Sequence, residues 1–222
     1  MLDLNKVAIL AENKHYRVGD LFNETGLRWA KDIQTVLTEP MFIDTILRDY
    51  LLLKRHHADT YIMSRVIADH VERHNYTVPR PDDLVIHMRL GDVVVNSKEH
   101  CGNRPLWAKE MYVDLFGGLR PQGFKRVVIA TALHFGANED IDRYHFSEEA
   151  KETSFELIRY VEQQCVDAGY AVALHSNQNV DADFAFMASS SHFVVAQSAF
   201  SKIVAKCLLS PTAQVYKLRH SS

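Results

Sequence analysis

The chain has little glycine and lacks the glycine-rich loops that mark several large enzyme families. Only 9 of its 222 residues are glycine, which is about 4% where about 7% is usual. The sequence contains no GxG, so the common dinucleotide fingerprint is absent. It also contains no GxxxxGK[ST] phosphate loop and no GxSxG nucleophile elbow. These absences disfavour NAD-linked enzymes, P-loop kinases and NTPases, and the common serine hydrolases.

Cysteine pairs, excess positive charge and long apolar runs are also missing. Cys101, Cys165 and Cys207 lie far apart without a CxxC pair, which fits neither a disulfide scaffold nor a structural zinc module. The net charge of -3 provides no basic field for nucleic acid. No apolar run approaches the roughly 20 residues that cross a bilayer, and no signal peptide is recognisable. We expect a soluble, cytoplasmic protein without a membrane span or a nucleic-acid partner; a trimmed secretory-pathway protein is the alternative.

The first 80 residues show helical periodicity that ends at two prolines. Apolar residues recur at three- and four-residue spacing over 42–51 and again over 62–71, which predicts two helices. Pro79 and Pro81 then favour extended backbone and end the helical pattern. We therefore expect a mainly helical N-terminal region over residues 1–80 and a second unit over residues 81–222. The hydrophobic content of 47% is enough to supply a core.

From residue 84 onward, short apolar runs alternate with amphipathic stretches. The runs predict strands at 84–88, 126–131, 170–175, 192–196 and 214–218, and the stretches predict helices at 107–116, 148–167, 183–189 and 200–209. Glu148 and Glu149 favour the positive end of the long helix, and Gly169 suits the turn that follows it. This alternation predicts an α/β fold, a Rossmann-like parallel sheet with helices on both faces.

Polar residues follow the first strand of the predicted sheet, in the sequence HMRLGD over residues 87–92. Ligands of such sheets bind beyond the carboxyl ends of the strands, and alternation puts His87 and Arg89 on the same side. The guanidinium of Arg89 can hold two oxygens of a phosphate. Gly91 permits a sharp turn, and Asp92 can orient Arg89. A salt-bridged arginine followed by a turn is the purely structural alternative.

A second polar segment follows the predicted strand at 192–196. Ser198 and Ser201 fall where the next helix begins, so free backbone amides and the helix dipole favour an anion there. Ordinary serine capping is the alternative interpretation. The sequence DFAFMA lies upstream of this segment and begins at Asp183.

Together these motifs resemble the donor-binding half of the GT-B fucosyltransferase superfamily. A strand that ends in HxRxGD is followed by DFAFMA and then by SxFS, and the resemblance covers residues 84–209. The superfamily includes α1,2- and α1,6-fucosyltransferases and protein O-fucosyltransferases. The resemblance implies that Arg89 grips the β-phosphate of a GDP-sugar and that His87 shapes the nucleotide pocket. It also implies that Asp183, or else Asp181, lies near the nucleoside.

The same resemblance places Ser198, Phe200 and Ser201 against the diphosphate and nucleoside. Two features depart from the family pattern. Leu90 stands where many members have a second arginine, and residues 1–80 are too few for the usual acceptor domain. The proton acceptor for the acceptor hydroxyl also stays open, with Asp92, His87 and Glu12 as candidates.

Metal-binding patterns are present but incomplete. Residues 181–183 and 140–142 match the DxD pattern of metal-dependent glycosyltransferases, whereas the resembling superfamily generally works without an essential metal. His70 and His74 have the spacing of a zinc pair, yet no third ligand accompanies them. We expect neither a metal nor a cofactor beyond the GDP-sugar donor, which is a substrate.

The sequence thus predicts a metal-independent glycosyltransferase, fucosyltransferase-like, that transfers a sugar from a GDP-sugar to a hydroxyl of a glycan or other acceptor. Arg89 and Asp92 are its predicted catalytic residues. A non-catalytic sugar-nucleotide or glycan-binding module, or one subunit of a split transferase, is the alternative. A Rossmann-like methyltransferase is a weaker third interpretation, because no glycine-rich loop follows the first strand. A homo-oligomer is left open.

Overall fold

The computed structural model describes residues 1–10, 68, 71–72, 75–95, 112–113, 115–116, 123–135, 148–177, 180–196 and 198–217. The strands in this part of the chain are β1 (Ile9–Leu10), β2 (Asp83–His87), β3 (Leu90–Gly91), β4 (Arg126–Ala130), β5 (Leu133–His134), β6 (Ala171–His175), β7 (His192–Val195) and β8 (Gln214–Lys217). The α-helices are α1 (Asp92–Val95), α2 (Glu148–Asp167), α3 (Val180–Ala188) and α4 (Ala199–Lys206). A short 3₁₀ helix at Leu4–Lys6 precedes β1.

The main sheet has five parallel strands in the order β6-β4-β2-β7-β8. The chain therefore builds outward from β2 through β4 to β6, and then returns to the other side of β2 to add β7 and β8. This is a Rossmann-like arrangement, and the strand order reverses between β2 and β7. The predicted α/β fold class is confirmed.

Alternating side chains of the strands build a core on each face of the sheet. Val85 and Val128 belong to the cluster that includes residues of α3 and α4. Ile86 and Ile129 belong to the cluster that includes residues of α2. Because successive side chains of a strand point to opposite faces, continuous apolar strands are what a sheet covered on both sides requires.

The long helix α2 agrees with its predicted bounds of 148–167. Its first turn carries Glu148 and Glu149, which interact favourably with the positive end of the helix dipole. After the helix, Gly169 has a φ of +88°, and its N–H donates to the carbonyl of Val166 at 2.9 Å. This left-handed conformation suits glycine and ends the helix, as predicted.

Two other helices differ from their predicted bounds. Helix α3 begins at Val180, three residues before the predicted start at residue 183, so Asp181 lies inside its first turn. Helix α4 ends at Lys206, three residues before the predicted end at residue 209. The reason is a tertiary contact, because the N–H of Leu209 donates to the carbonyl of Ala188 at 2.9 Å instead of continuing the helix.

Most of the predicted N-terminal helices lie outside the described residues. The helix predicted at 42–51 is wholly outside, and within 62–71 only Ala68 and Val71 are described, both in helical conformation. The helix predicted at 107–116 is described only at residues 112–113 and 115–116, which are helical. None of the helices in the described ranges is long and apolar enough to cross a bilayer.

A second, unpredicted sheet continues the first at the carboxyl ends of β2 and β4. It has three parallel strands in the order β1-β5-β3. The chain leaves β2, passes through Met88 and Arg89, and enters β3, while residues 131–132 join β4 to β5 in the same way. Leu90 and Leu133 of this small sheet belong to the α2-side core. The small sheet therefore packs toward the α2 side of the carboxyl edge.

Candidate functional site

The two motifs that are far apart in sequence meet where the strand order reverses. Strand β2 pairs directly with β7, with Leu84 opposite His192 and Ile86 opposite Val194. The HMRLGD segment begins at the end of β2, and the segment that starts α4 follows β7. Open α/β sheets bind ligands in a crevice outside the carboxyl ends of the strands at such a reversal point. The corresponding position here, beyond the ends of β2 and β7, is the predicted crevice.

The ring of His87 lies against the ring of Phe200, with centroids 5.5 Å apart and planes inclined by 58°. His87 is buried, and its Nδ1 has no hydrogen-bond partner among the residues that the structure describes. Burial, together with the nearby positive charge of Arg89, lowers the pKa of His87 to about 3. The ring is therefore neutral at physiological pH, which makes His87 a weak candidate for the proton acceptor.

Arg89 lies at the joint between β2 and β3 and is partly exposed. Its Nη1 donates to the carbonyl of Leu90 at 2.5 Å. The guanidinium places a permanent positive charge at the carboxyl end of β2, close enough to His87 to oppose its protonation. Arg89 thus lies just beyond the carboxyl end of β2, and its predicted contact with a ligand stays a prediction.

Gly91 and Asp92 follow Arg89 in the same turn. Gly91 has a φ of +94°, so the predicted sharp turn is present and needs glycine. Asp92 begins the four-residue helix α1. The side chain of Asp92 lies outside the described part of the structure, and its predicted catalytic role stays a prediction.

The two serines at the start of α4 hold the turn between β7 and the helix. Ser198 is the N-cap residue, and its Oγ accepts from the backbone N–H of Ser201 at 3.1 Å. Ser201 is fully buried, and its Oγ accepts from the N–H of Ala196 at 2.8 Å. Both bonds fit the serine-capping interpretation, and the predicted contacts of Ser198 and Ser201 with a ligand stay predictions. The positive end of α4 also favours an anion here.

Asp183 forms a buried pair with a histidine that the sequence analysis did not select. Asp183 Oδ1 lies 2.9 Å from His175 Nε2, and their side chains are 14% and 16% exposed. Burial raises the pKa of Asp183, although the His175 contact and a backbone hydrogen bond from Asn177 act in the opposite direction. The carboxylate of Asp183 thus connects α3 to the end of β6 and to the loop that follows it. The ring of His175 also stacks on Phe186 at a centroid distance of 3.7 Å.

The position of His175 at the end of a strand could have identified it as a candidate site residue. His175 is the last residue of β6 and lies opposite Ala130, the last residue of β4. Ala130 in turn lies opposite His87, the last residue of β2. A histidine at the carboxyl end of a predicted strand is a candidate site residue by the same rule that selects His87. The contact of Phe184 with Phe200, at 5.6 Å between centroids, joins α3 to α4 beside these strand ends.

No metal site is formed in the described part of the chain. A group of three or more His, Cys, Asp or Glu side chains that could hold a metal does not occur there. The DxD pattern at 140–142 and the His70–His74 pair lie outside the described residues, as does Glu12.

Comparison with known proteins gives no relative. The chain matches no protein-family model, and it has no significant match among curated proteins or solved structures.

Proposed function

We propose that the protein is a nucleotide-sugar glycosyltransferase. The contact between His87 and Phe200 carries the proposal, because Arg89 follows His87 by two residues and Phe200 lies in the first turn of α4, at the reversal of strand order where such sheets bind ligands. The motifs in this crevice further favour a fucosyltransferase-like enzyme that uses a GDP-sugar and transfers the sugar to a hydroxyl acceptor.

The chemistry requires stabilisation of a leaving diphosphate. As the bond between the sugar and the β-phosphate breaks, negative charge grows on the phosphate oxygens. A fixed guanidinium at Arg89 and the backbone N–H groups at the start of α4 are donors suited to that charge. Because they interact more strongly with the developing charge than with the bound donor, they lower the barrier. Loss of one such donor raises a barrier by about 3 kcal/mol, more than a hundredfold in rate.

The test is the affinity of the folded protein for GDP, measured by calorimetry. Arg89→Ala should weaken GDP binding by about 2 kcal/mol, about thirtyfold in Kd, because charged hydrogen bonds to the diphosphate are lost. Arg80→Ala is the matched control, since Arg80 is exposed and precedes the opposite end of β2. Unchanged affinity in folded Arg89→Ala, or equal loss in both variants, refutes the proposed site.

A non-catalytic nucleotide-sugar-binding module, or one subunit of a split transferase, is the second candidate. Of the three candidate proton acceptors only His87 has a described side chain, and its lowered pKa of about 3 makes it a weak base, so the described residues supply no effective proton acceptor from this set. Donor hydrolysis separates the two functions. A transferase slowly releases GDP from its sugar nucleotide with water as acceptor, whereas a binding module leaves the donor intact.

Ligand class is tested by a thermal-shift screen against GDP, UDP, CDP and their sugar conjugates. A ligand that binds only the native state raises the melting temperature. Stabilisation by GDP and its conjugates alone supports the proposal. Stabilisation by S-adenosylmethionine instead points to a methyltransferase.

A further inference from the structure

Two buried hydroxyl groups hold the backbone on either side of Arg89. On the N-terminal side, Thr131 Oγ1 donates to the carbonyl of Met88 at 2.7 Å. On the C-terminal side, the N–H of Gly91 donates to Ser154 Oγ at 3.1 Å. Thr131 is 4% exposed and Ser154 is fully buried, so water does not compete for either bond.

Each hydroxyl is itself fixed by another element of the fold. The backbone N–H of Thr131 donates to the carbonyl of His175 at 3.1 Å, which ties Thr131 to β6. The hydroxyl of Ser154 donates to the carbonyl of Ala150 at 2.6 Å, within α2. The two hydrogen bonds therefore anchor residues 88–91, here called the Arg89 turn, to separate parts of the core.

The turn needs such anchors because its conformation is unusual for most residues. Gly91 has a positive φ. Strand β3 consists of only two residues, Leu90 and Gly91, so its pairing in the small sheet holds the turn only weakly. An arginine on a loose turn loses more conformational freedom when it binds an anion, which weakens binding. Binding groups work best when their supporting hydrogen bonds fix them beforehand.

We propose that Thr131 and Ser154 are positioning residues that fix residues 88–91 so that the Arg89 guanidinium is held for an anionic ligand. The inference rests on the proposed function, in which that ligand is the diphosphate of a GDP-sugar. Neither residue need touch the ligand, because both act through the backbone of the turn.

The test compares Thr131→Val, which keeps the shape but removes the hydroxyl, with Thr131→Ser, which keeps the hydroxyl. GDP affinity by calorimetry and stability by urea unfolding are measured on the full chain. Thr131→Val should weaken GDP binding about tenfold in folded protein, because the buried Met88 carbonyl loses its partner and the turn loosens. Thr131→Ser should stay within about twofold of the wild type. Ser154→Ala should weaken binding in the same direction as Thr131→Val.

A double-mutant cycle shows whether the effect passes through Arg89. In an Arg89→Ala background, Thr131→Val should cause no further loss of GDP affinity, since the group that it positions is already gone. If Thr131→Val lowers stability but leaves GDP affinity unchanged, or weakens it equally in both backgrounds, Thr131 is only structural and the inference is wrong. The proposed function fails separately, when Arg89→Ala itself binds GDP as tightly as the wild type.

A measurement without ligand distinguishes failure of the positioning role from failure of the proposed function. The Nε–H signal of Arg89 in an NMR spectrum, assigned with Arg89→Lys, should be sharp in the wild type and in Thr131→Ser. It should broaden or shift toward the position of exposed arginines in Thr131→Val and in Ser154→Ala. An unchanged signal in both variants overturns the positioning role, whether or not GDP is the ligand.

Discussion

Phe200, the second residue of α4, packs its ring on that of His87 at the end of β2, with centroids 5.5 Å apart. This contact joins the start of a helix to the end of a strand that lies far earlier in the chain. Substitution of Phe200 therefore disturbs the proposed site without removing a charge.

Phe200→Ala should reduce both stability and nucleotide affinity. The ring is half-buried and also contacts Phe184, so we expect a loss of about 2 kcal/mol in the free energy of unfolding, less than for a fully buried phenylalanine. GDP binding by the folded variant should weaken, because α4 is no longer held against His87. Phe200→Leu, which keeps much of the apolar volume, should lose less of both. Full retention of GDP affinity in Phe200→Ala contradicts the importance of this contact.

His87 should stay neutral through the pH range in which histidines ordinarily titrate. Its pKa is lowered to about 3 in the folded protein, so the unfolded chain takes up the proton first as the pH falls. Stability from this group is therefore complete above the ordinary pKa of 6.5 and declines as the pH drops toward 3, by at most about 1.4 kcal/mol per pH unit. Urea unfolding of wild type and His87→Asn across this range measures the difference.

NMR provides a direct check on the same group. The ring signals of His87 should not move as the pH passes through 6.5, the ordinary value for histidine. A midpoint near that value would show that the ring is hydrated and readily protonated, and would restore His87 as a candidate proton acceptor.

Asp183 should give a pH dependence of the opposite sign. Burial raises its pKa above the ordinary 3.8, so the folded protein holds this proton more tightly than the unfolded chain. Its contribution to stability is complete below 3.8 and is lost as the pH rises through the raised value. The free energy of unfolding of the wild type should therefore fall relative to Asp183→Asn as the pH rises from below 3.8 to neutral. A constant difference between the two proteins contradicts this prediction.

The Asp83–Arg126 pair should support stability without affecting the crevice. Asp83 is fully buried and accepts two bonds from Arg126, at 2.8 and 2.6 Å, at the amino end of β2. Asp83→Ala removes the two-bond partner of the partly exposed Arg126 and leaves the N–H of Arg80 without its acceptor, and should cost about 1–3 kcal/mol in urea unfolding. Arg126→Lys keeps the charge but loses the two-bond geometry, so its loss should be smaller. GDP affinity of the folded fraction should be unchanged in both variants.

The regular elements could be predicted because their signals are local. The apolar runs of β4 and β7, and the acidic first turn and following glycine of α2, each depend on neighbours in sequence, and the structure places these elements within a residue or so of the prediction. The meeting of His87 with the α4 start also followed from a general rule, because parallel strands share a carboxyl edge.

The parts that could not be predicted depend on contacts between distant residues. The strands β3 and β5 have only two residues each, too short for any periodicity, and exist because the chain bends after β2 and β4 in the same way. The His175–Asp183 pair depends on how α3 lies over the end of β6. The burial of Ser201 likewise follows from the path of the chain after β7, which the SxFS motif does not encode.

The two joints at the end of the main sheet have matched lengths. His87 aligns with Ala130 in the first sheet, and Leu90 aligns with Leu133 in the second, so each joint has room for two residues. An added or deleted residue in one joint alone would shift the register between β3 and β5 and turn Arg89 away from the crevice. A change in length at one joint therefore has to be matched at the other.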